Sequence, residues 1–180
     1  MGVAVGIRVT DGVAIVADRR VLDGDTVRTD DQPQLLSWDD GAVAGVGHAH
    51  AIQALHRSLR EARREYQWDR GNELGLDALS HIAAKAAEET ETACLLTARD
   101  EDGRATLREL DSSGGLTTSE RAAIGKGNEL ALGAIETVEQ SISVEAAAQQ
   151  LEAVLAQLAD RHAGIGPNTD QAILVDEQQP

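Results

Sequence analysis

Apolar and polar positions change period four times along this chain. From Val3 to Val9 and from Val13 to Ala17, apolar residues alternate or run together on either side of Thr10-Asp11-Gly12. Turn residues between two such runs predict a β-hairpin at the head of the chain. A short strand follows at Thr26-Val27-Arg28, then a break at Pro33, then Gln34 to Trp38 and Ala42 to Val46 about Asp39-Asp40-Gly41. The period next becomes helical: Ile52, Leu55, Leu59, Ala62 and Tyr66 line one face, and a second face forms around Leu79, Ile82, Ala83 and Ala86. Ala93 to Ala98 and Ala105 to Leu110 return to strand about "RDEDGR". Helices come back at Glu129 to Glu139 and at Val144 to Ala159, the latter with Ser143 as N-cap, Glu145 near the positive helix end and a buried stripe of Leu151, Val154, Leu155 and Leu158. "DQAILVD" closes the chain as a strand.

Strands, two helices, strands, two helices and a strand do not make an alternating βαβ order. The order implies an α+β fold in which two antiparallel sheets pack face to face, each covered by a helix pair: a four-layer αββα sandwich. The length of 180 residues, with no Pro-, Gly- or Ser-rich linker, leads us to expect a single domain over residues 1–180. The Met-Gly start lacks a basic and an apolar leader region, and no apolar run approaches the ~18 residues of a membrane span, so a soluble, cytoplasmic protein without membrane association is expected.

Charge changes the picture further. The 31 acidic against 16 basic residues give a formal net charge of −15, which repels polyanions and excludes nucleic acid as an expected partner. Lys85 and Lys126 are the only lysines and phenylalanine is absent, a pattern expected of a salt-rich cytoplasm, where a Debye length of roughly 3 Å at 1 M screens self-repulsion. An ordinary acidic cytosolic protein is the alternative. Cys94, alone, can form no internal disulfide and reads as a small buried hydrophobe. Ser112-Ser113 before Gly114-Gly115 reads as a turn rather than a nucleophile, and Asp30-Asp31 and Asp39-Asp40 as turn charges. His48, His50 and His56 form the one histidine cluster. Without a third ligand at matching spacing no metal is expected there, and no cofactor motif is present.

Several segments carry a family resemblance. "VGIRVTDGVAIVADRR" resembles the opening of proteasome β-type subunits, "AVAGVGHAHAIQAL" is similar to that family's entry into its first helix, and "AIGKGNELALGAIE" to its glycine-rich segment. "SVEAAAQQL" and "TDQAILV" resemble its late helix and last strand. The compact length also resembles HslV, the peptidase ring of a bacterial ATP-dependent protease; both have the N-terminal nucleophile hydrolase fold, which is the four-layer sandwich. The resemblance implies a homo-oligomeric ring of six or seven subunits, with other proteasome-like subunits or an ATPase as further partners.

The resemblance also implies a threonine-type endopeptidase, in which a terminal threonine attacks, its own amine acts as base, a lysine tunes that amine and an acid holds the lysine. Carried over from the family motif, the nucleophile position falls on Gly2, the lysine position on Gln34 and the acid on Asp18. Lys126 stands where the family places a serine, next to Gly127 of the oxyanion segment, and the later acid falls near Asp160 or His162. Val43, Gly47 and Ala51 take the substrate-pocket positions, ordinary core packing being the alternative. Two catalytic groups are thus replaced, and a ring without proteolytic activity is expected ahead of a working threonine peptidase. With its lysine gone, Asp18 is expected either to pair with Lys126 or to be held by backbone N–H groups and Arg19 or Arg20.

Overall fold

The computed structural model describes residues 2–23 and 25–177. The alternation read from the head of the chain forms β1 (Val3–Val9) and β2 (Gly12–Asp18), joined by Thr10 and Asp11. A short hairpin, β3 (Val21–Asp23) with β4 (Thr26–Thr29), stands outside the main sheets. β5 (Leu35–Trp38) and β6 (Gly41–Val46) lead into α1 (Ala49–Arg70) and α2 (Leu76–Thr90). The chain continues through β7 (Ala93–Arg99), β8 (Ala105–Leu110), β9 (Leu116–Thr118) and β10 (Arg121–Gly125), then α3 (Asn128–Ile135), α4 (Val144–Ala159) and β11 (Thr169–Val175).

One antiparallel sheet has the order β10-β1-β2-β11 and the other the order β5-β6-β7-β8-β9. Three apolar layers hold them, and strand alternation decides which residue enters which layer. Val3, Val5, Ile7 and Val9 turn outward to meet Leu151 and Leu155 of α4 and Ile135 of α3. Ala4, Val13, Ile15 and Ala17 turn inward against Leu95 and Leu107 of the second sheet. Gly6 lies on that inner side, where a Cβ would come within 2.9 Å of the Leu107 side chain, so a missing side chain lets the sheets approach. The third layer sets Val43, Cys94 and Leu96 against Leu55, Leu59 and Leu79 of α1 and α2. The αββα sandwich expected from the element order is the fold observed.

Local chemistry explains where the elements depart from expectation. α3 was expected to reach Glu139 but stops at Ile135. Thr137 Oγ1 donates to the Ala134 carbonyl at 2.7 Å, and the Arg121 guanidinium takes the carbonyls of Ile135 (3.1 Å) and Val138 (2.7 Å), so side chains replace the helical donors. β3, β9 and β10 were not expected as strands from pattern alone: β9 is exposed throughout, and β3 is only three residues long with Val21 and Leu22 partly buried, which leaves little apolar face to read. α4 runs from Val144 to Ala159 as expected, with the Ser143 hydroxyl accepting from Ala146 N. Asp11 Oδ1 accepts from Val144 N at 2.9 Å, fastening the first turn to the start of that helix. Among the described residues no helix is long and apolar enough to cross a membrane.

Leu155 is fully buried in the layer between the first sheet and its helices. Leu155→Ala is expected to cost about 2–5 kcal/mol through lost burial and the cavity left behind. Urea unfolding checks this, with the midpoint falling at an unchanged slope; a loss below about 1 kcal/mol would mean the layer closes around the gap.

Candidate functional site

The face of β2 that carries Ala14 and Val16 against the helices ends at Asp18, and the chain folds two other segments over that carboxylate. Its Oδ1 accepts from Val3 N at 2.9 Å; its Oδ2 accepts from Gly166 N at 2.8 Å and from Arg20 N at 3.3 Å. Among the described residues no side-chain cation pairs with it. Burial pushes the Asp18 carboxyl above its ordinary range, while the N–H groups of Gly166, Val3 and Arg20 pull in the opposite direction. The Arg20 guanidinium is turned away, donating to both oxygens of Asp30 at 2.6 and 3.1 Å and to the Ala163 carbonyl at 2.7 Å.

Gly2 and Gln34 complete this volume. A Cβ on Gly2 would overlap Asp18 Oδ1 and stand 2.9 Å from Gln34 Oε1, so the space a side chain would need at position 2 is already filled. Gln34 is 2% exposed; its Nε2 donates to the Arg20 carbonyl at 2.9 Å, and its Oε1 is buried without a hydrogen-bond partner. Its backbone carbonyl accepts from Gly45 N at 3.0 Å, extending the β5–β6 pairing by one residue and fixing the side chain's position. Three residues far apart in sequence are therefore brought together: Gly2 without a side chain, Asp18 as an acceptor, Gln34 as an amide.

Lys126 does not join them, and the Asp18–Lys126 ion pair is absent. Gly125 and Gly127 both have positive φ, 94° and 71°, and between them Lys126 is directed outward, its N–H donating to the Gly2 carbonyl at 2.9 Å. The side chain crosses Gly164, where a Cβ would lie 2.8 Å from Lys126 Cδ and 3.1 Å from Nζ. The loop that occupies the intervening space is the one that offers Gly166 N to Asp18 instead. At Gly125 a Cβ would overlap the Gly2 carbonyl oxygen, so glycine is required for the first and tenth strands to meet. Of the two positions proposed for the later acid, Asp160 is exposed at the end of α4, and His162 is the one beside the glycine-rich segment, 3.7 Å from a Cβ built on Gly127.

The three substrate-pocket positions separate. Gly47 lines a cavity of about 30 Å³ with Gln34, Pro33, His48 and Ile52, room for roughly one water molecule. Val43 is buried between the second sheet and α1, and Ala51 lies against the far ends of α1 and α2 with His50 and Glu88. Gly47 thus shares its cavity with Gln34, the residue that also faces Gly2, whereas the neighbours of Val43 and Ala51 are core residues and helix ends. Ligand pockets of ~300 Å³ or more are the ordinary size, and the cavity at Gln34 falls far short of that.

The remaining nucleophile and metal candidates resolve into structure. Cys94 is fully buried, and burial pushes its thiol up to about 12. Asp111 Oδ1 accepts from Ser113 N, Ser113 Oγ and Gly115 N, which makes "DSSGG" a turn. His48 and His50 stack at 5.8 Å, and among the described residues no group of three ligating side chains could hold a metal ion. His56 points inward; burial, with Arg60 adding to it, lowers its imidazole to about 4. Sequence reasoning missed Gly166 and Val3, whose contribution is a backbone N–H and leaves no trace in side-chain chemistry. Only the "GIG" before the last strand hinted at a close approach.

A four-layer sandwich whose first strand begins beside a buried acid and a glycine-rich turn is the architecture of the N-terminal nucleophile hydrolases. A model of the proteasome subunit family matches residues 2–174, and the chain belongs to that family. Its β-subunit relatives include proteasome subunit beta 1 of Thermococcus onnurineus, 32% identical over 138 residues, covering 73% of this chain and 67% of that protein. Proteasome subunit beta of Halorubrum lacusprofundi is 25% identical over 178 residues, with 96% and 73% covered, and that of Haloferax volcanii 26% over the same length, with the same shares.

Two titrations follow from this geometry. The folded-state pKa of Asp18 lies above the unfolded value of about 3.9, so the native site binds the proton more readily and the carboxyl's unfavourable contribution vanishes as pH falls. Asp18→Asn places an amide N–H against backbone donors and is expected to cost about 1–3 kcal/mol at neutral pH. The gap between wild type and variant should widen on acidification; a gap that narrows would show a depressed carboxyl instead. His56 acts oppositely: with a folded pKa near 4, stability from its neutral form is lost as pH falls from about 6.5 towards 4. Thermal melts of wild type and His56→Gln should converge over that interval, and parallel curves would rule the effect out.

Proposed function

We propose that this chain is a proteasome β-like subunit forming one domain over residues 1–180, that it assembles with itself into a ring of six or seven subunits in the cytoplasm, and that it does not cleave peptides. The observation that carries the reading is at position 2: glycine supplies no nucleophile, and Asp18 fills the space a threonine side chain would occupy. Gln34 supports it independently. An amide cannot carry the charge that lowers the proton affinity of a neighbouring amine, and this one donates instead to the Arg20 carbonyl. Asp18, which would have faced a lysine, is satisfied by three backbone N–H groups and has no need of one. The small cavity at Gly47 and the buried Val43 agree with a site that holds no substrate side chain. The acidity, at 31 against 16 charges, fits assembly at high salt, where repulsion between copies is screened.

The deciding experiment is a fluorogenic peptide assay at molar KCl, with the first residue of the preparation fixed by intact mass. No turnover is expected, with or without an electrophile directed at an N-terminal nucleophile. Turnover that such an electrophile abolishes would establish a working threonine-type peptidase. Gly2→Thr combined with Gln34→Lys is expected to leave turnover absent and to lower stability by about 1–3 kcal/mol, because the added atoms overlap Asp18. Light scattering of the wild type should give a multiple of 19 kDa consistent with six or seven subunits, and a monomer at micromolar protein would remove the ring.

A further inference from the structure

At the far end of β1 from Gly2, the chain crosses from the second sheet to the first through Ser119 and Glu120, which join β9 to β10. Both sheets pin the crossing: Ser119 N donates to the Leu107 carbonyl at 3.1 Å, and Arg8 N donates to the Glu120 carbonyl at 2.8 Å. Beside it lies a cavity of about 220 Å³, into whose lining Arg104, Thr106 and Thr118 also enter.

Arg104 stands at the end of a turn that its own hydrogen bonds make rigid. Asp100 Oδ1 accepts from Asp102 N at 3.0 Å and from Arg104 N at 2.9 Å, while Asp100 N donates to the Arg104 carbonyl at 2.9 Å. Gly103, at φ 77°, donates to the Asp100 carbonyl at 3.0 Å. A guanidinium is thus set on a fixed base, yet among the described residues it has no ion-pair partner. The hydroxyls of Thr118 and Ser119 are also without a protein partner among the described residues, and that of Thr106 reaches the Arg104 carbonyl only at 3.5 Å, beyond ordinary hydrogen-bond length. The other charged groups of the lining are engaged: Asp100 in its turn, Glu120 with the Gln140 amide at 3.2 Å, and Arg8 with the Gly12 carbonyl at 2.9 Å and Asp176 at 2.7 Å. One guanidinium and three hydroxyls remain, all able to donate.

We propose that this cavity binds the phosphoryl group of a small phosphate, inorganic or carried as a monoester, with Arg104 gripping two of its oxygens and Thr106, Thr118 and Ser119 donating to the others. A guanidinium offers a fork of N–H groups that matches two phosphate oxygens. Donors from β8 and from the crossing reach the remaining oxygens of a tetrahedral ion, whereas a planar carboxylate has only two to offer. The volume falls below the ~300 Å³ of ordinary ligand pockets, a size for a small ion rather than a peptide or a nucleotide. Two cationic and two anionic side chains line the cavity, so the field there is not that of the whole acidic chain, and salt screens the rest. The site depends on neither ring assembly nor peptide cleavage.

Isothermal titration calorimetry at fixed ionic strength tests the site, with inorganic phosphate and glycerol phosphate as separate probes and thermal melts showing that each variant is folded. The wild type is expected to give saturable binding at one site per chain. Arg104→Gln should weaken it about tenfold or more, the range for a charge-assisted pair, and Ser119→Ala about two- to tenfold. Arg57→Gln makes the same charge change at an exposed position on α1 and should leave binding unchanged. Tighter binding of the ester would assign the site to phosphorylated small molecules, and tighter binding of inorganic phosphate to the free ion. Wild type that binds neither probe saturably, binding that survives intact in Arg104→Gln, or equal weakening in Arg104→Gln and Arg57→Gln would each overturn the site.

Discussion

A single carboxylate organises this fold. Asp18 accepts from the start of β1, from its own strand's exit at Arg20, and from Gly166 just ahead of the last strand, so three chain segments are pinned at one point. Hydrogen bonds to a charged acceptor contribute about 1.5–3 kcal/mol each, set against the cost of taking the carboxylate out of water. Fixed backbone donors achieve what a cation would otherwise do, and they bring no long side chain to order. That choice has a geometric consequence: with Val3 N and Gly166 N closing on the carboxylate, its Oδ1 occupies the space beside Gly2 Cα, and a side chain there would have to displace the carboxylate from those donors.

The site and the core are separable in this protein. The three apolar layers are built from alternating strand positions and helix stripes, and Val3 and Ile165 of the outer layer adjoin Asp18 through main-chain N–H groups, at Val3 itself and at Gly166. Burial in those layers does not depend on what chemistry stands at Gly2 or Gln34. The sandwich can therefore stay intact whatever polar residues stand at those two positions. The Gln34 Oε1 is a buried acceptor without a hydrogen-bond partner, and the apolar layers tolerate it.

The fold was legible because its layers write themselves as periods: Val3 to Val9 in strand alternation, Leu151, Val154, Leu155 and Leu158 as a helical stripe. The short strands β3 and β9 were not, since three residues, exposed in β9 and only partly buried in β3, are too few to show a pattern. Convergence of Gly2, Asp18 and Gln34 could be drawn from motif spacing. Their partners could not: Val3 N, Arg20 N and Gly166 N are main-chain donors, and any residue type except proline supplies one. The direction of Lys126 was equally hidden, because it is set by two positive-φ glycines and the loop at Gly164, not by the charge of Asp18. Val43 illustrates a third limit, for a motif position tells which strand a residue occupies but not whether its neighbour is a cleft or a helix.

The sheet order also sets a schedule. β2 pairs with β1 through a two-residue turn, yet its other edge waits for β11, with Thr169 set opposite Asp18 some 150 residues later. Loop closure over that distance precedes any reward from pairing, which makes such topologies slow to fold. A ribosome making this chain releases the hairpin about 150 residues before the strand that pairs with its free edge. In the interval, β2 presents an open edge and an apolar face of Val13, Ile15 and Ala17 to whatever else is in solution. The feature that seals the finished molecule is thus the one that leaves the nascent one exposed longest.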